Sequence, residues 1–146
     1  MDVKEKALSI IEQCGSGNPW EICSCFCIKI FRHPLGNLRG YFYQTEKGRA
    51  IVLNDNLEPH EERFVCAHEL GHFVLHGGMN RVFLDTRTFL NCARFEKEAD
   101  VFGACLLYPD DEDFLSCGGT TSLLATCTGL REEVVKLRIK QIHPRC

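Results

Sequence analysis

His68, Glu69 and His72 form the pattern His-Glu-x-x-His near the middle of a 146-residue chain. Two histidines four apart on a helix are separated by little more than one turn. Both imidazoles therefore leave the same face and can offer two nitrogens to one Zn²⁺. Glu69 stands one position from His68, so it flanks such an ion instead of ligating it, and its carboxylate can take a proton from water there. This is the constellation of metal-assisted peptide hydrolysis. A five-residue pattern with three fixed positions also arises by chance, so the surrounding elements must supply the rest of the site.

The first requirement is a rigid helix. Phe64, Val65, Ala67, Leu70, Phe73, Val74 and Leu75 supply its apolar positions. Asn56 is a candidate cap, Pro59 suits a first turn, and Glu61 and Glu62 complement the dipole there. Gly77-Gly78 ends the run, which predicts a helix from Pro59 to His76. The second requirement is a third protein ligand, with water in the fourth position. His76 lies about 12 Å of helix rise beyond His68, too far to share one ion. Glu96 and Asp100 lie four apart in a segment that reads as a helix stopped by Pro109, so they share a face. Glu96 could ligate the metal while Asp100 holds the second nitrogen of a ligating histidine. Glu98 projects from the other side of that helix, toward solvent. By themselves Glu96 and Asp100 would read as solvated surface carboxylates; beside the histidine motif they complete it. Peptide hydrolysis also calls for a second oxyanion donor, and Tyr108, His76 or a loop arginine are the candidates.

The same residues carry a family resemblance. Val65-Cys-Ala-His-Glu-Leu-Gly-His-Phe-Val-Leu-His76, followed by Glu96-x-x-Ala-Asp100-x-Phe102-x-Ala104-x-Leu106-Leu107-x-Pro109, resembles the ImmA/IrrE family of metallopeptidases. Gly40-Tyr-Phe and Ala50-Ile-Val-Leu-Asn54 are similar to the short strands before that family's catalytic helix; Leu123-Leu-Ala125 and Val134-Val-x-x-Arg138 are similar to its closing helices. The likeness runs from about Pro19 to Ile142. It departs at Asp100, where the family usually carries Asn. Thermolysin-like enzymes use Glu-x-x-x-Asp there, so a role in holding a ligating histidine survives. The resemblance implies Zn²⁺ and a protein substrate, commonly a helix-turn-helix repressor of a mobile element or a stress response.

Composition bounds this reading. A length of 146 residues suits one domain, residues 1–146. A net charge of −3 gives no global nucleic-acid footprint. No apolar run is long enough to span a membrane, and Met1 to Glu5 shows no secretory leader. The ten cysteines contain no C-x-x-C pair, which argues against a four-cysteine zinc site. They read as free thiols in a reducing cytoplasm.

The coarse pattern is α+β: a mostly helical domain with a small three-stranded antiparallel sheet packed on the catalytic helix. Helices are expected at Val3–Gln13 and from Pro19, capped by Asn18. Strands are expected at Ile28–Phe31, Gly40–Thr45 and Ala50–Leu53, with Glu46-Lys47-Gly48-Arg49 as a hairpin connection. Residues 80–91 read as a loop near the metal. Thr121 to Ile142 reads as helix, turn at Gly129, helix. Arg131, Lys136, Arg138 and Lys140 could there meet phosphates, but its leucines and valines are better placed packing on the core, so direct DNA binding is the lesser reading. The sequence as a whole points to a zinc endopeptidase with His68, His72 and Glu96 as ligands and Glu69 as base. The alternative is a metal-bearing antirepressor that masks its partner without cutting it.

Overall fold

The computed structural model describes residues 2–77 and 89–142, with side chains throughout except at 89–92. Local capping sets the first two helices. Asp2 and Glu5 form a capping box at the start of α1 (Val3–Cys14), and Gly15 ends it in the left-handed region, φ 73°. Asn18 accepts from Trp20 N–H at 2.9 Å to open α2 (Pro19–Cys25).

Three strands follow: β1 (Ile28–His33), β2 (Gly40–Thr45) and β3 (Gly48–Asn54). The sheet is mixed and not purely antiparallel. Its order is β1-β3-β2, with β1 parallel to β3 and β2 antiparallel to it. The hairpin turn is Glu46-Lys47 alone, since Gly48 and Arg49 already pair in β3. The physical reason for the order lies in the 34–39 segment, which carries the chain around the C-terminal end of β3. Asn54 donates from its side chain to the carbonyls of Gly36 and Leu38 at 2.9 Å each, and its backbone N–H bonds Arg39 O at 2.9 Å. β1 and β2 are thereby seated on opposite sides of β3.

α3 (Pro59–Leu75) carries the histidine motif. Its cap is Glu58, in a box with Glu61, and not Asn56, whose N–H instead meets Asn54 Oδ1 in the turn after β3. α4 (Phe89–Leu107) starts earlier than the sequence pattern suggested, so the last residues of the expected 80–91 loop are helical; the remainder of that loop lies outside the described residues. α5 (Asp111–Leu115) is capped by Asp110, α6 (Thr121–Thr128) ends at Gly129 in the left-handed region, and α7 (Glu132–Ile139) follows.

α3 and α4 are packed against each other at the centre, and two glycines set how closely. A Cβ on Gly71 would lie 3.1 Å from Ala99 Cα and 3.2 Å from Ala99 O; one on Gly103 would lie 3.3 Å from His68 N. One apolar cluster joins α1, α2, the sheet, α3 and α4 through residues such as Ile10, Ile22, Phe42, Ile51, Leu70 and Phe102. A second joins Phe64 and Ala104 to Phe114, Leu124, Leu130, Val134 and Val135. The helix-turn-helix segment therefore buries Leu124, Leu130, Val134 and Val135 inside the molecule, while Leu123 stays 55% exposed. Arg138 is also buried, donating to Tyr108 O at 2.8 Å and pairing with Asp111 at 2.6 Å, so it cannot meet a phosphate. Among the described residues no helix is long and apolar enough to cross a membrane.

Candidate metal centre

Helical spacing places His68, Glu69 and His72 at the α3–α4 interface, and their candidate ligand atoms lie within 4.8 Å of one another. Glu69 and His72 are 4% and 5% exposed. A fourth group arrives from α4. Glu96 sets Oε2 2.8 Å from His68 Nε2 and Oε1 3.4 Å from His72 Nε2. Glu69 Oε2 stands farther off, 3.9 Å from His68 Nε2. Either carboxylate is near enough to serve a cation, but Glu96 meets both histidines at once, so its position fits a ligand better. Asp100, one turn along α4, lies 2.8 Å from His68 Nδ1.

Both nitrogens of His68 thus face carboxylates. Burial pulls its proton affinity down, but the hydrogen bonds to Asp100 and Glu96 prevail and raise the pKa to about 10. Glu96 is the reciprocal case: burial would raise its pKa, and the bonds to His68 and His72 hold it well below the usual carboxylate range. His68, His72 and Glu96 are the residues that would hold a metal here, in exchange for the proton His68 carries without one. Two imidazole nitrogens and one carboxylate are the donor set of an open catalytic zinc site, so the residues present fit that ion.

His76 stands behind His72 and not in the cleft. Its Nδ1 is 3.0 Å from His72 Nδ1, its Nε2 is 3.3 Å from Glu98 Oε1, and its ring packs 4.3 Å from that of Phe95. Burial and His72 lower its pKa, with Glu98 acting against them. Glu98 is therefore not simply turned to solvent, because it reaches back to a buried histidine. Tyr108 is also placed away from the cleft. Pro109 follows it, and its hydroxyl donates to Thr128 O at 3.0 Å, tying the end of α4 to α6.

The cleft over His68 and Glu69 holds about 200 Å³, and Leu38, Arg39, Phe64, Asp100 and Arg131 are among the residues that wall it. Arg39 and Arg131 were not read as cleft residues from the sequence. Arg131 Nη2 lies 3.7 Å from Asp100 Oδ2, and Arg39 Nη2 lies 3.8 Å from Glu61 Oε2. Partial burial and the nearby Arg131 charge lower the pKa of Arg39. No local spacing could have found them, since one sits in the connection before β2 and the other at the start of α7. Asn54 was missed for a related reason: it acts through the 34–39 backbone that forms one wall.

A family model described as the IrrE N-terminal-like domain matches residues 23–140. The chain belongs to the ImmA/IrrE family. Metallopeptidase ImmA of Bacillus subtilis (strain 168) is 34% identical over 116 residues, covering 74% of this chain and 64% of that protein. "Uncharacterized immunity region protein 2" of Bacillus phage phi105 is 34% identical over 109 residues, covering 74% of this chain and 69% of its own. The chain thus spans about two thirds of each of these ImmA/IrrE relatives. A solved structure titled "Mycobacterium tuberculosis transcriptional regulator" shares the fold, with a TM-score of 0.64 at 15% identity over 94% of this chain and 46% of the other. Membership of this metallopeptidase family supports a protease-type function for the chain.

Proposed function

We propose that this protein is a zinc-dependent, site-specific endopeptidase acting in the cytoplasm on a helix-turn-helix repressor of a mobile element or stress response. The observation that carries this is the meeting of His68 Nε2, His72 Nε2 and both Glu96 oxygens across the α3–α4 interface, with Glu69 beside them and a cleft above. His68, His72 and Glu96 would hold Zn²⁺. When bound, the ion polarises a carbonyl and lowers the pKa of water toward neutrality. Glu69 accepts the proton of the attacking water and returns it to the leaving amine. Asp100 fixes the ring of His68 through Nδ1. Arg39 and Arg131 are cleft-wall cations suited to polar or anionic groups of the substrate.

The test is incubation of catalytic amounts of zinc-loaded protein with the repressor encoded beside it, read by intact mass. One dominant cut, absent with Glu69→Gln, is expected. Tight binding of the repressor without any cut would favour instead a non-cleaving antirepressor. Binding to duplex DNA that falls steeply with salt would support a nucleic-acid module, which the burial of Arg138 disfavours.

A further inference from the structure

We propose that Glu98 and His76 are positioning residues that fix the tautomer of His72, so that its Nε2 lone pair faces the metal site. This rests on the zinc reading above. Asp100 meets His68 directly, but among the described residues His72 Nδ1 meets a second imidazole, His76, at 3.0 Å. Two ring nitrogens can share a hydrogen bond only if one carries the proton and the other a lone pair. The far side of His76 decides which. Its Nε2 lies 3.3 Å from Glu98 Oε1, and an ionised carboxylate only accepts, so Nε2 of His76 carries its proton. A neutral His76 then has a bare Nδ1. That nitrogen accepts from His72 Nδ1–H and leaves His72 Nε2 without a proton.

The relay opposes a competing pull. Glu96 Oε1 lies 3.4 Å from His72 Nε2 and favours a proton on that nitrogen, where it would block the metal. Glu98, acting through His76, draws the proton to the other side of the ring. The relay is mechanically tied down. His76 is 7% exposed, its backbone N–H bonds His72 O at 3.0 Å, and Phe95 packs on its ring. Glu98 is also flanked by Arg94, whose Nε is 3.8 Å from the same Oε1.

Two measurements test this. The first is zinc affinity by chelator competition. His76→Phe keeps the ring volume but cannot accept, and Glu98→Ala removes the terminal acceptor on the half-exposed side. Each should weaken zinc binding by about 10- to 100-fold in a folded protein. Wild-type affinity in either folded variant overturns the relay, and Glu98→Ala serves alone if His76→Phe does not fold. The second uses metal-free Glu96→Ala, which removes the competing pull, with ring nitrogens assigned by long-range proton–nitrogen correlation. The relay requires protons on His72 Nδ1 and His76 Nε2; protons on His72 Nε2 and His76 Nδ1 overturn it. Because this arm needs no metal, it separates the two ideas: the required tautomers in a protein whose parent takes up no zinc would support the relay and sink the metallopeptidase reading.

Discussion

His68 held between two carboxylates makes the metal-free protein sensitive to pH in a definite direction. Its folded pKa, about 10, lies above the ordinary 6.5, so its contribution to stability is complete below about pH 6.5 and is lost as pH rises toward 10. Glu96 is depressed, so its contribution is present above its ordinary 4.5 and lost as pH falls through the folded value. With chelator present, the melting temperature should therefore fall between about pH 6.5 and 10. Excess zinc should reverse the trend over that range, because the ion takes the place of the His68 proton and binds better as that proton leaves. Calorimetry with chelator and with zinc checks this; a chelated protein that gains stability toward alkaline pH would remove the His68–Glu96 pair from the account. Chemistry at the same scale rests on Glu69. Glu69→Gln keeps shape but loses the base, so zinc content should be unchanged while cleavage drops by at least about 100-fold. Elemental analysis beside a cleavage assay reads both, and near-parental cleavage would exclude Glu69 as the base.

The α3–α4 interface transmits sequence to site at the level of elements. Gly71→Ala should gain helix propensity, by about 1 kcal/mol. It also sets a methyl 3.1 Å from the backbone of Ala99, one residue before Asp100. Backbone cannot swing aside as a flexible side chain can, so overpacking of about 1–3 kcal/mol outweighs the gain. The more telling readout is zinc affinity, which should weaken because separating the helices moves Glu96 and Asp100 from His68. Wild-type affinity with wild-type stability would show that the interface has slack. Much of this arrangement was legible in the sequence because it is local. The Asn18 cap set the start of α2, the Asp2 cap of α1 went unread, and spacing put Glu96 and Asp100 on one face of α4. What escaped is non-local. The order β1-β3-β2 depends on how Asn54 grips the 34–39 segment, which alternation within a strand does not encode. The His72–His76 contact went unread although it is an i, i+4 pair, because its meaning needed Glu98 from another helix.

On the scale of the whole molecule, one carboxylate links three helices remote from the cleft. Asp111 at the start of α5 bonds Lys4 of α1 at 2.9 Å and Arg138 of α7 at 2.6 Å. Asp110 to Asp113 form an acidic run that could meet a basic partner, yet Asp111 is committed inward by its bonds to Lys4 and Arg138, which hold its carboxyl below the usual range against burial. Arg138 is fully buried, and its Nη1 has no hydrogen-bond partner among the described residues. Removing Asp111 would take away the paired carboxylate and leave that guanidinium the Tyr108 and Pro109 carbonyls and the face of the Phe114 ring, 5.2 Å from its centre. Asp111→Ala should therefore cost about 3 kcal/mol, the lower end for breaking a buried pair, because Asp111 itself is partly exposed. Asp113→Ala, at an exposed position, should leave stability within about 0.5 kcal/mol. If the acidic run also steers a basic repressor, Asp113→Ala should slow cleavage at low salt and lose that effect at high salt, since screening removes long-range attraction. Asp111→Ala should lower activity only as far as it lowers the folded fraction, at any salt. Denaturant melts paired with cleavage rates at two salt concentrations separate these effects: a stable Asp111→Ala protein would overturn the structural role, and a salt-independent Asp113→Ala rate would leave the acidic run as a solvated helix start.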